Sequence, residues 1–324
     1  MSRHCSRLLL ALLSLFALYA PAAAAQDYPK APIHMLVGFP PGASTDIFAR
    51  MLGVEMQKAW GQAVVIENKG GANGIIATTD LAKAPPDGYR LMFTLSSHVT
   101  NALYYKKLPY DIAKDFAPVT LAMRTPWLLV STPSFPANNI GELIALAKAR
   151  PGELNYGSAG EGSAPHLTTV MFALMAGIRL THVPYKGSGP ALLDLLGGQI
   201  PLLFATIPTV QAQLAQGKVK PLGIGTLKRV PTLPNVPTID ESGVPGFEAD
   251  VWFGIIAPAG TPAPIVKKIQ LEVARSLAKP EIISVLNAQS AEPIGSTPEE
   301  FDRILKTEYA RWRKTFSEAK IKTE

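Results

Sequence analysis

Three glycine- and serine-containing turns carry the residues of this chain with the clearest chemical potential. They span residues 38–46, 158–166 and 185–189. Each follows a short apolar run typical of a strand and precedes an apolar-periodic stretch typical of a helix. A helix start leaves backbone N–H groups without intrahelical partners, and their partial positive charge suits a carboxylate or a phosphate. One such turn alone could be an ordinary connection, but three related turns together predict an amide-lined pocket for a small anion.

The first two turns offer hydroxyl groups and flexible backbone. Ser44, Thr45 and Asp46 are residue types that favour the start of a helix. In the second turn, Ser158 and Ser163 supply hydroxyls. The glycines at positions 160 and 162 allow the backbone to come close to a bound group. A plain glycine-rich connector, with Ser163 capping the next helix, is the alternative interpretation.

Three further side chains have open roles. Lys186 is either a charge partner for a carboxylate or an exposed lysine. His166 stands at the start of a helix, where a structural role and a ligand contact are both possible. Asn73, which lies between Ala72 and Gly74, either donates to the ligand or holds a left-handed turn.

The sequence lacks the motifs of common enzymes. It has no G-x-S-x-G nucleophile motif, no G-x-G-x-x-G dinucleotide motif and no phosphate-binding P-loop motif. Its histidines are not spaced like zinc ligands. We therefore expect a binding protein without metal or cofactor, not an enzyme. A secreted hydrolase or isomerase remains an alternative, with His166 and Asp46 as the one acid–base pair to test.

The N-terminus predicts export. Arg3 and Arg7 precede a leucine-rich apolar stretch, and residues 23–25 form an Ala-Ala-Ala cleavage site before Gln26. This pattern is typical of a secretory signal peptide covering residues 1–25, with an uncleaved anchor as the alternative. With a cleaved signal peptide, we expect the mature protein in the periplasm. The single cysteine, Cys5, lies in this segment, so the mature chain is expected to have no disulfide.

Composition limits the possible partners. The chain of 324 residues carries a formal charge of +6, with 47% hydrophobic and 17% charged residues. This mildly basic balance suits small anions, but there is no block of lysine and arginine of the kind that nucleic-acid binding needs. We expect a compact globular protein that does not bind nucleic acid.

Strand-like and helix-like segments alternate at the spacing of β-α-β units, which predicts an α/β fold. We expect one domain from residues 26–126 and 247–324 and a second from residues 127–246. Residues 98–118 look irregular, a strand at residues 127–131 opens the second domain, and two helices close the chain. A ligand would lie beyond the carboxyl ends of the strands.

Several segments, in order, resemble a known family. Besides the three turns, they are Ala-Pro-Pro-Asp-Gly-Tyr at residues 84–89, Pro-Thr-Ile-Asp-Glu-Ser-Gly-Val-Pro-Gly-Phe-Glu at residues 237–248 and Trp-Phe-Gly-Ile-Ile-Ala-Pro-Ala-Gly-Thr-Pro at residues 252–262. Over essentially the whole mature chain, the sequence resembles the Bug-type extracytoplasmic solute receptors of the tripartite tricarboxylate transporter family (TctC-like).

The resemblance implies a type II periplasmic binding protein: two α/β domains joined by crossing hinge strands, with a ligand cleft between them. It implies a monomer that binds a small carboxylate or related metabolite through main-chain amides and delivers it to integral-membrane transporter subunits. A ligand-sensing partner of a membrane signalling protein is the alternative. The implied ligand contacts are Phe39, Gly42, Ala43, Ser44, Thr45 and Asp46 in the first loop, Ser158, Ala159, Gly162, Ser163 and His166 in the second domain, and Lys186 in the third turn.

The chain departs from the family pattern at a few positions. Ala43, Asn73 and Ala77 stand where the family usually has glycine, and Ala205 and Thr206 stand where many members carry an aspartate that can meet a ligand amine. The lost aspartate argues against amino-acid ligands. Asn73 and Thr206 complete the predicted site.

Overall fold

A computed structural model describes residues 28–318 together with residues 321 and 323. The predicted signal peptide and its cleavage site lie outside the described residues. In the part of the chain that the structure describes, no helix combines the length and the apolar character needed to span a bilayer.

The elements alternate as the sequence predicts. The strands are β1 (Ile33–Val37), β2 (Val64–Asn68), β3 (Arg90–Leu95), β4 (Phe116–Ser131), β5 (Asn155–Ser158), β6 (Thr181–Pro184), β7 (Leu202–Thr206), β8 (Lys220–Ile224), β9 (Asp250–Pro258) and β10 (Glu292–Pro293). The helices are α1 (Ser44–Trp60), α2 (Ile75–Ala82), α3 (Ser97–Tyr104), α4 (Ile140–Ala149), α5 (Ala164–Ala176), α6 (Ser188–Leu196), α7 (Ile207–Ala215), α8 (Ala263–Leu277), α9 (Pro280–Ala288) and α10 (Pro298–Glu318).

The strands form two α/β units. In the first, β2, β1 and β3 are parallel, and β9 lies antiparallel between β3 and β4. In the second, β6, β5 and β7 are parallel, and β7 and β8 lie antiparallel on either side of the end of β4. This arrangement agrees with the predicted α/β class with two units.

The long strand β4 belongs to both units. Its residues 116–126 pair with β9, whereas residues 127–131 pair with β7 and β8. Two register shifts interrupt the β4–β9 pairing, and such irregularities bend a strand locally. The chain passes from the second unit back to the first beside this point of β4. There, Gly225 N–H donates to Trp127 O at 2.7 Å, and Ala249 N–H donates to Gly225 O at 2.7 Å. The two units are thus joined at adjacent crossing segments.

Phenylalanine clusters mark the core of each unit. Phe48 and Phe93 pack against Phe253 in the first unit. In the second, Phe172 and Phe204 pack against Phe247 with ring centroids 5.9 and 6.2 Å apart. All of these rings are buried.

Three sequence-based expectations about elements were wrong. The region at residues 98–118 is not irregular throughout, because it contains most of α3 and the start of β4. The strand expected at residues 127–131 begins eleven residues earlier, at Phe116. Prolines at positions 118 and 126 made the sequence look unlike a strand, because proline has no N–H to donate to a neighbouring strand. Finally, α9 is an additional C-terminal helix, and Pro280 begins it because proline is tolerated in a first helical turn.

Candidate ligand site at four helix N-termini

Four helices of the described chain begin at one small cavity between the two units. The helices are α1, α5, α6 and α7, and the cavity has a volume of about 30 Å³. It is lined by Phe39, Ala43, Ser44, Thr45, Asn73, Leu95, Trp127, Ala159, Ser163, Ala164, Pro165, Ser188, Thr206, Thr209 and Val251. The carboxyl ends of β1, β5 and β7 lead into three of these helix starts, as expected for a ligand site in an α/β fold.

Side chains do not cap these helix starts. The N-cap residues Ala43, Ser163, Gly187 and Thr206 make no side-chain hydrogen bond to the first turn. The Ser163 hydroxyl instead donates to Gly160 O at 2.6 Å, and the Thr206 and Thr209 hydroxyls pair with each other at 2.9 Å. Since the first-turn amides of a helix have no intrahelical acceptor, they remain available to a bound anion.

The cavity wall is neutral. Among the described residues, none of those that line it is acidic, basic or a histidine. Any charge on a ligand would therefore be balanced by amide dipoles and by the hydroxyls of Ser44, Ser188 and Thr206, not by an ion pair.

The first loop uses its carboxylate to hold its own shape. Asp46 accepts from Gly42 N–H at 3.0 Å, from Asn68 Nδ2 at 2.9 Å and from Arg50, whose Nη2 lies 2.8 Å from Oδ1. Burial by itself would raise the pKa of Asp46, but the hydrogen bonds from Arg50, Gly42 and Asn68 outweigh it and lower this pKa. Gly42 has a φ of 85°, which glycine adopts readily. Neither Gly42 nor Asp46 lines the cavity, because both support the loop from behind.

Asn73 lies at the cavity wall in a fixed orientation. Its backbone is left-handed, with φ 51° and ψ 36°, which confirms the turn interpretation. Its Nδ2 donates to Asn101 Oδ1 at 2.6 Å, while Asn101 Nδ2 donates to Asn73 O at 3.0 Å. One N–H of the Asn73 amide is therefore committed to Asn101, and a ligand contact of Asn73 stays a prediction. Its Oδ1 is buried and has no partner in the described structure.

The second loop forms a polar cluster beneath the cavity. Ser158 Oγ lies 2.6 Å from His182 Nε2, and Glu161 Oε1 lies 3.1 Å from His182 Nδ1. Gly162 N–H donates to His166 Nδ1 at 3.0 Å. Ser158, Gly162 and His166, which were predicted as ligand contacts, therefore bond within the protein and are not part of the cavity lining.

Burial keeps the two histidines neutral. Burial, followed by the neighbouring His182, lowers the pKa of His166 to about 4, against an opposing effect of Glu161. Burial also lowers the pKa of His182. Burial would raise the pKa of Glu161, but the Tyr104 hydroxyl and both histidines outweigh it and lower this pKa.

Three side chains of the same cluster carry atoms that metals bind. One ligand atom each of Glu161, His166 and His182 lies within 4.8 Å of the others. However, the two imidazole rings are stacked, with centroids 4.0 Å apart and planes 8° apart. A zinc ion lies about 2.0 Å from a histidine nitrogen. Two parallel rings at this separation cannot both point a lone pair at one ion. The three side chains do not fit a metal in this arrangement.

Helix α3 of the first unit holds the second loop across the cleft. Tyr104 Oη donates to Glu161 Oε2 at 2.9 Å, and Tyr105 Oη donates to Glu161 O at 3.2 Å. A Cβ atom on Gly162 would lie only 2.7 Å from the Tyr104 ring, so this close approach requires glycine. These contacts join the two units across the cleft.

A crevice of about 400 Å³ lies beside the cavity and shares Phe39, Asn73 and Ala159 with it. Lys186 lines this crevice and is exposed. Lys186 therefore lines the crevice and not the cavity.

Eight predicted site residues therefore meet at the cavity: Phe39, Ala43, Ser44, Thr45, Asn73, Ala159, Ser163 and Thr206. Sequence reasoning missed Trp127, Ser188 and Thr209 in the lining. Ser188 begins α6 and Thr209 lies in the first turn of α7, so the helix-start argument could have identified both. Trp127 carries no such signal, because its position follows from the crossing of β4 between the units.

Comparison with known proteins places this chain in a family. Residues 48–321 match the model of the tripartite tricarboxylate transporter family receptor. The chain belongs to this receptor family. It is 37% identical over 309 residues to protein BugT of Bordetella pertussis, an alignment that covers 94% of this chain and 95% of BugT.

Solved structures of similar proteins show the same fold. The R. palustris protein Rpa4515, solved with adipate, has a TM-score of 0.90 and 39% identity, covering 92% of this chain and 100% of that one. The periplasmic binding protein BugD has a TM-score of 0.88 and 37% identity, covering 92% and 100%. MatC (Rpa3494) from Rhodopseudomonas palustris, solved with malate, has a TM-score of 0.83 and 34% identity, covering 89% and 99%.

These similarities confirm the predicted family and the fold of a type II periplasmic binding protein with two α/β domains. The receptor family and these neighbours are solute-binding proteins rather than enzymes. Members of the family are periplasmic binding proteins.

Proposed function

We propose that this protein is a periplasmic receptor that captures a small carboxylate in the cleft between its two domains. The observation that carries this proposal is the convergence of four uncapped helix N-termini on a cavity without ionisable side chains. Such a site neutralises an anion with backbone donors, which impose little side-chain selectivity. The adipate and malate found in two similar proteins support the carboxylate class.

The proposed contacts come from both sides of the cleft. One carboxylate would bind the α1 start at Ala43, Ser44 and Thr45, with Phe39 beside it. The other end of the ligand would meet Ala159, Ser163 and Thr206 with the starts of α5, α6 and α7. Gly42, Asp46, Ser158, Gly162 and His166 would support these loops, and Lys186 would act at the entrance.

Binding requires the domains to move. The cavity of about 30 Å³ is far below the roughly 300 Å³ of small ligand pockets. A dicarboxylate would enter an open cleft, and the Tyr104–Glu161 contact would form again on closure. We propose the β4 crossing at residues 126–127 as one hinge strand. We place the return crossing after Ala249, slightly beyond the expected boundary at residue 247, because Phe247 packs in the second unit.

We further propose that residues 1–25 direct export, that the mature chain starts near Gln26 and acts as a monomer, and that the closed form delivers its ligand to membrane transporter subunits. The family's role as a transporter receptor supports the last point. Mass spectrometry of the periplasmic protein would test the cleavage site, and a first residue other than one near Gln26 would contradict it. Uptake of the bound carboxylate should fall when the gene is deleted, and unchanged uptake would contradict the transport role.

Calorimetric titration of residues 26–324 with succinate, glutarate, adipate and malate tests the function itself. Their dimethyl esters are matched controls of similar shape without charge. We expect at least one diacid to bind and to raise the melting temperature, since a ligand stabilises the folded state it binds. Its ester should bind at least tenfold more weakly. Equal binding of ester and acid, or no binding of any acid, would contradict the proposal.

A further inference from the structure

A second, larger cavity lies in the first unit, outside the cleft. This outer cavity has a volume of about 670 Å³ and is lined by α3, the segment 105–113, the start of β4, one residue of β9 and the first half of α10. Among the described residues, it shares no lining residue with the cavity at the helix N-termini and only Tyr105 with the crevice. Its volume falls within the roughly 300–1,000 Å³ of small-molecule sites.

Aromatic rings form much of the wall of the outer cavity. His98 and Phe116 pack with ring centroids 5.2 Å apart, and Tyr110 and Phe116 with centroids 5.6 Å apart. Tyr105 and Tyr309 also line the cavity and are only half-buried. Burial lowers the pKa of His98 to about 4, so its ring is uncharged at neutral pH. A flat aromatic body suits a wall of this kind, because aromatic rings gain from packing against one another.

Aliphatic side chains of the same wall remain partly open to water. Leu108, Ile112 and Leu305 line the outer cavity, and each is half-buried. An apolar group placed in the cavity would remove this surface from water, which favours binding. The body of a suitable ligand is therefore apolar.

The charged residues of the lining leave one positive charge without a partner. Asp111 Oδ2 lies 3.1 Å from Lys114 Nζ, and Asp302 Oδ2 lies 2.6 Å from Lys306 Nζ. Lys106 is exposed and has no acidic partner among the described residues. A cationic ligand would have to displace a lysine from one of the two carboxylates, whereas an anionic ligand can pair with Lys106.

We propose that the outer cavity is a second ligand site that takes a small aromatic monocarboxylate, with its ring against the aromatic wall and its carboxylate at Lys106. One carboxylate suffices because one lysine is unpaired, and a second would meet Asp111 and Asp302. The site does not depend on the proposed function of the cleft. Since it shares no lining residue with the cavity at the helix N-termini, ligands can occupy both at once.

An NMR titration of isotopically labelled mature protein, residues 26–324, tests this proposal. The probes are benzoate, 4-hydroxybenzoate and phenylacetate. Benzamide, which has the shape of benzoate without its charge, and acetate, which has the charge without the ring, are the controls. At least one aromatic acid should shift the amide signals of Ala102, Ile112, Ala113 and Leu305 in a saturable way. Benzamide should bind about fivefold more weakly than benzoate, as expected for one exposed ion pair, and acetate should cause no saturable shift there.

Two variants with matched controls locate the ligand. Lys106→Gln removes the unpaired charge and should weaken binding about fivefold. Lys107→Gln is its control, because Lys107 is the adjacent exposed lysine and does not line the outer cavity. Ala113→Trp places a large ring at an exposed position of the lining and should abolish binding. Lys107→Trp adds the same ring outside the lining and should leave affinity unchanged. Melting temperatures close to that of the wild type show that each variant folds.

The outcomes separate this inference from the function of the cleft. If the aromatic acids shift Ser44 and Ala164 instead of the outer cavity, or if none of them binds, the second site is wrong, and the diacid titration still tests the cleft by itself. Equal binding of benzamide and benzoate, or equal affinities of Lys106→Gln and Lys107→Gln, would show that the charge is not recognised and would overturn the proposal. Binding that persists in Ala113→Trp would place the ligand elsewhere and also overturn it.

Discussion

The two loops that face each other across the cleft use similar residues in different ways. Residues 38–46 and 158–166 both connect a strand to a helix N-terminus and both contain glycine, serine and one acidic residue. In the first loop the acid, Asp46, is tied to the loop itself through Gly42 and Asn68. In the second loop the acid, Glu161, reaches across the cleft to Tyr104.

The two loops therefore differ in what holds their shape: the first is held by its own unit, and the second by contacts across the cleft. The first loop is preorganised, since its carboxylate, its glycine N–H and its neighbouring strand are bonded within one unit. The second loop is completed by the opposite unit, so its contacts depend on the cleft being shut. A receptor needs both: a fixed set of donors on one side and a partner that responds on the other.

The largest expected difference between the loops is their response to acid. His166 has a folded-state pKa of about 4 against an ordinary value of 6.5, so the unfolded chain binds more protons between these values and stability falls as pH falls. The pKa of Asp46 is already below its ordinary value of 3.8, so the first loop loses stability only in stronger acid. Between pH 7 and 4.5 we expect His166 to account for about 2 kcal/mol of lost stability.

Denaturant unfolding of the wild type and of His166→Asn at both pH values measures this difference. Asparagine keeps an acceptor for Gly162 N–H but does not titrate. Burial also lowers the pKa of His98 to about 4. This histidine is present in both proteins, so it contributes equally to the pH dependence of their stability. An equal loss of stability in wild type and variant would show that the second loop is not the sensitive one.

Removing one amide donor from the first loop should weaken ligand binding. Ser44 is the first residue of α1, where proline is tolerated, and Ala43 before it already has φ −74° and ψ 157°, as proline requires. Ser44→Pro should therefore fold normally and reduce carboxylate affinity roughly tenfold, about 1.4 kcal/mol. Ser44→Ala, which keeps the N–H and loses the hydroxyl, is the control in the same calorimetric titration. Equal affinities for the two variants would exclude the backbone donor.

Loosening the second loop should weaken binding less. Tyr104→Phe keeps the ring against Gly162 but removes the hydrogen bond to Glu161, which is worth about 1 kcal/mol. We expect affinity to fall roughly fivefold, because only the closed state loses the contact. Tyr89→Phe removes a tyrosine hydrogen bond to Lys30 N–H away from the cleft and should leave affinity unchanged. If both variants bind alike, the Tyr104 contact does not control closure.

The smallest effect is expected at Asp46. Asp46→Asn retains an acceptor for Gly42 but loses the ion pair with half-exposed Arg50, worth about 0–1 kcal/mol, and the hydrogen bond from Asn68, worth about 1 kcal/mol. The melting temperature should fall slightly and carboxylate affinity should stay within about twofold. A large loss of affinity would mean that Asp46 contacts the ligand instead of shaping the loop.

Local sequence signals predicted the parts of the site that depend on local geometry. The apolar run before the first turn is strand β1, as expected, and the α1, α5 and α6 starts follow from the turns that precede them. These features depend on neighbouring residues alone: an apolar run, a glycine or proline turn, and a residue type that favours a helix start.

The remaining features of the site depend on residues that are far apart in the sequence or on the loop conformation, and local patterns do not predict these. His182 meets the second loop because β5 and β6 pair in parallel with Tyr156 opposite His182, a register that no local pattern encodes. The role of Asn73 was left open because its partner, Asn101, lies 28 residues away on a helix that was not predicted. Likewise, the hydrogen bond from Gly42 to Asp46 depends on the loop conformation and not on residue type.

An NMR titration of isotopically labelled mature protein with the tightest-binding carboxylate tests the central claim most directly. A carboxylate bound at helix N-termini should shift the amide protons of Ser44, Thr45, Ala164 and Ser188 downfield, with one saturation curve for all four. Saturable binding whose amide shifts centre instead on the crevice near Lys186, with these four unchanged, would contradict the account.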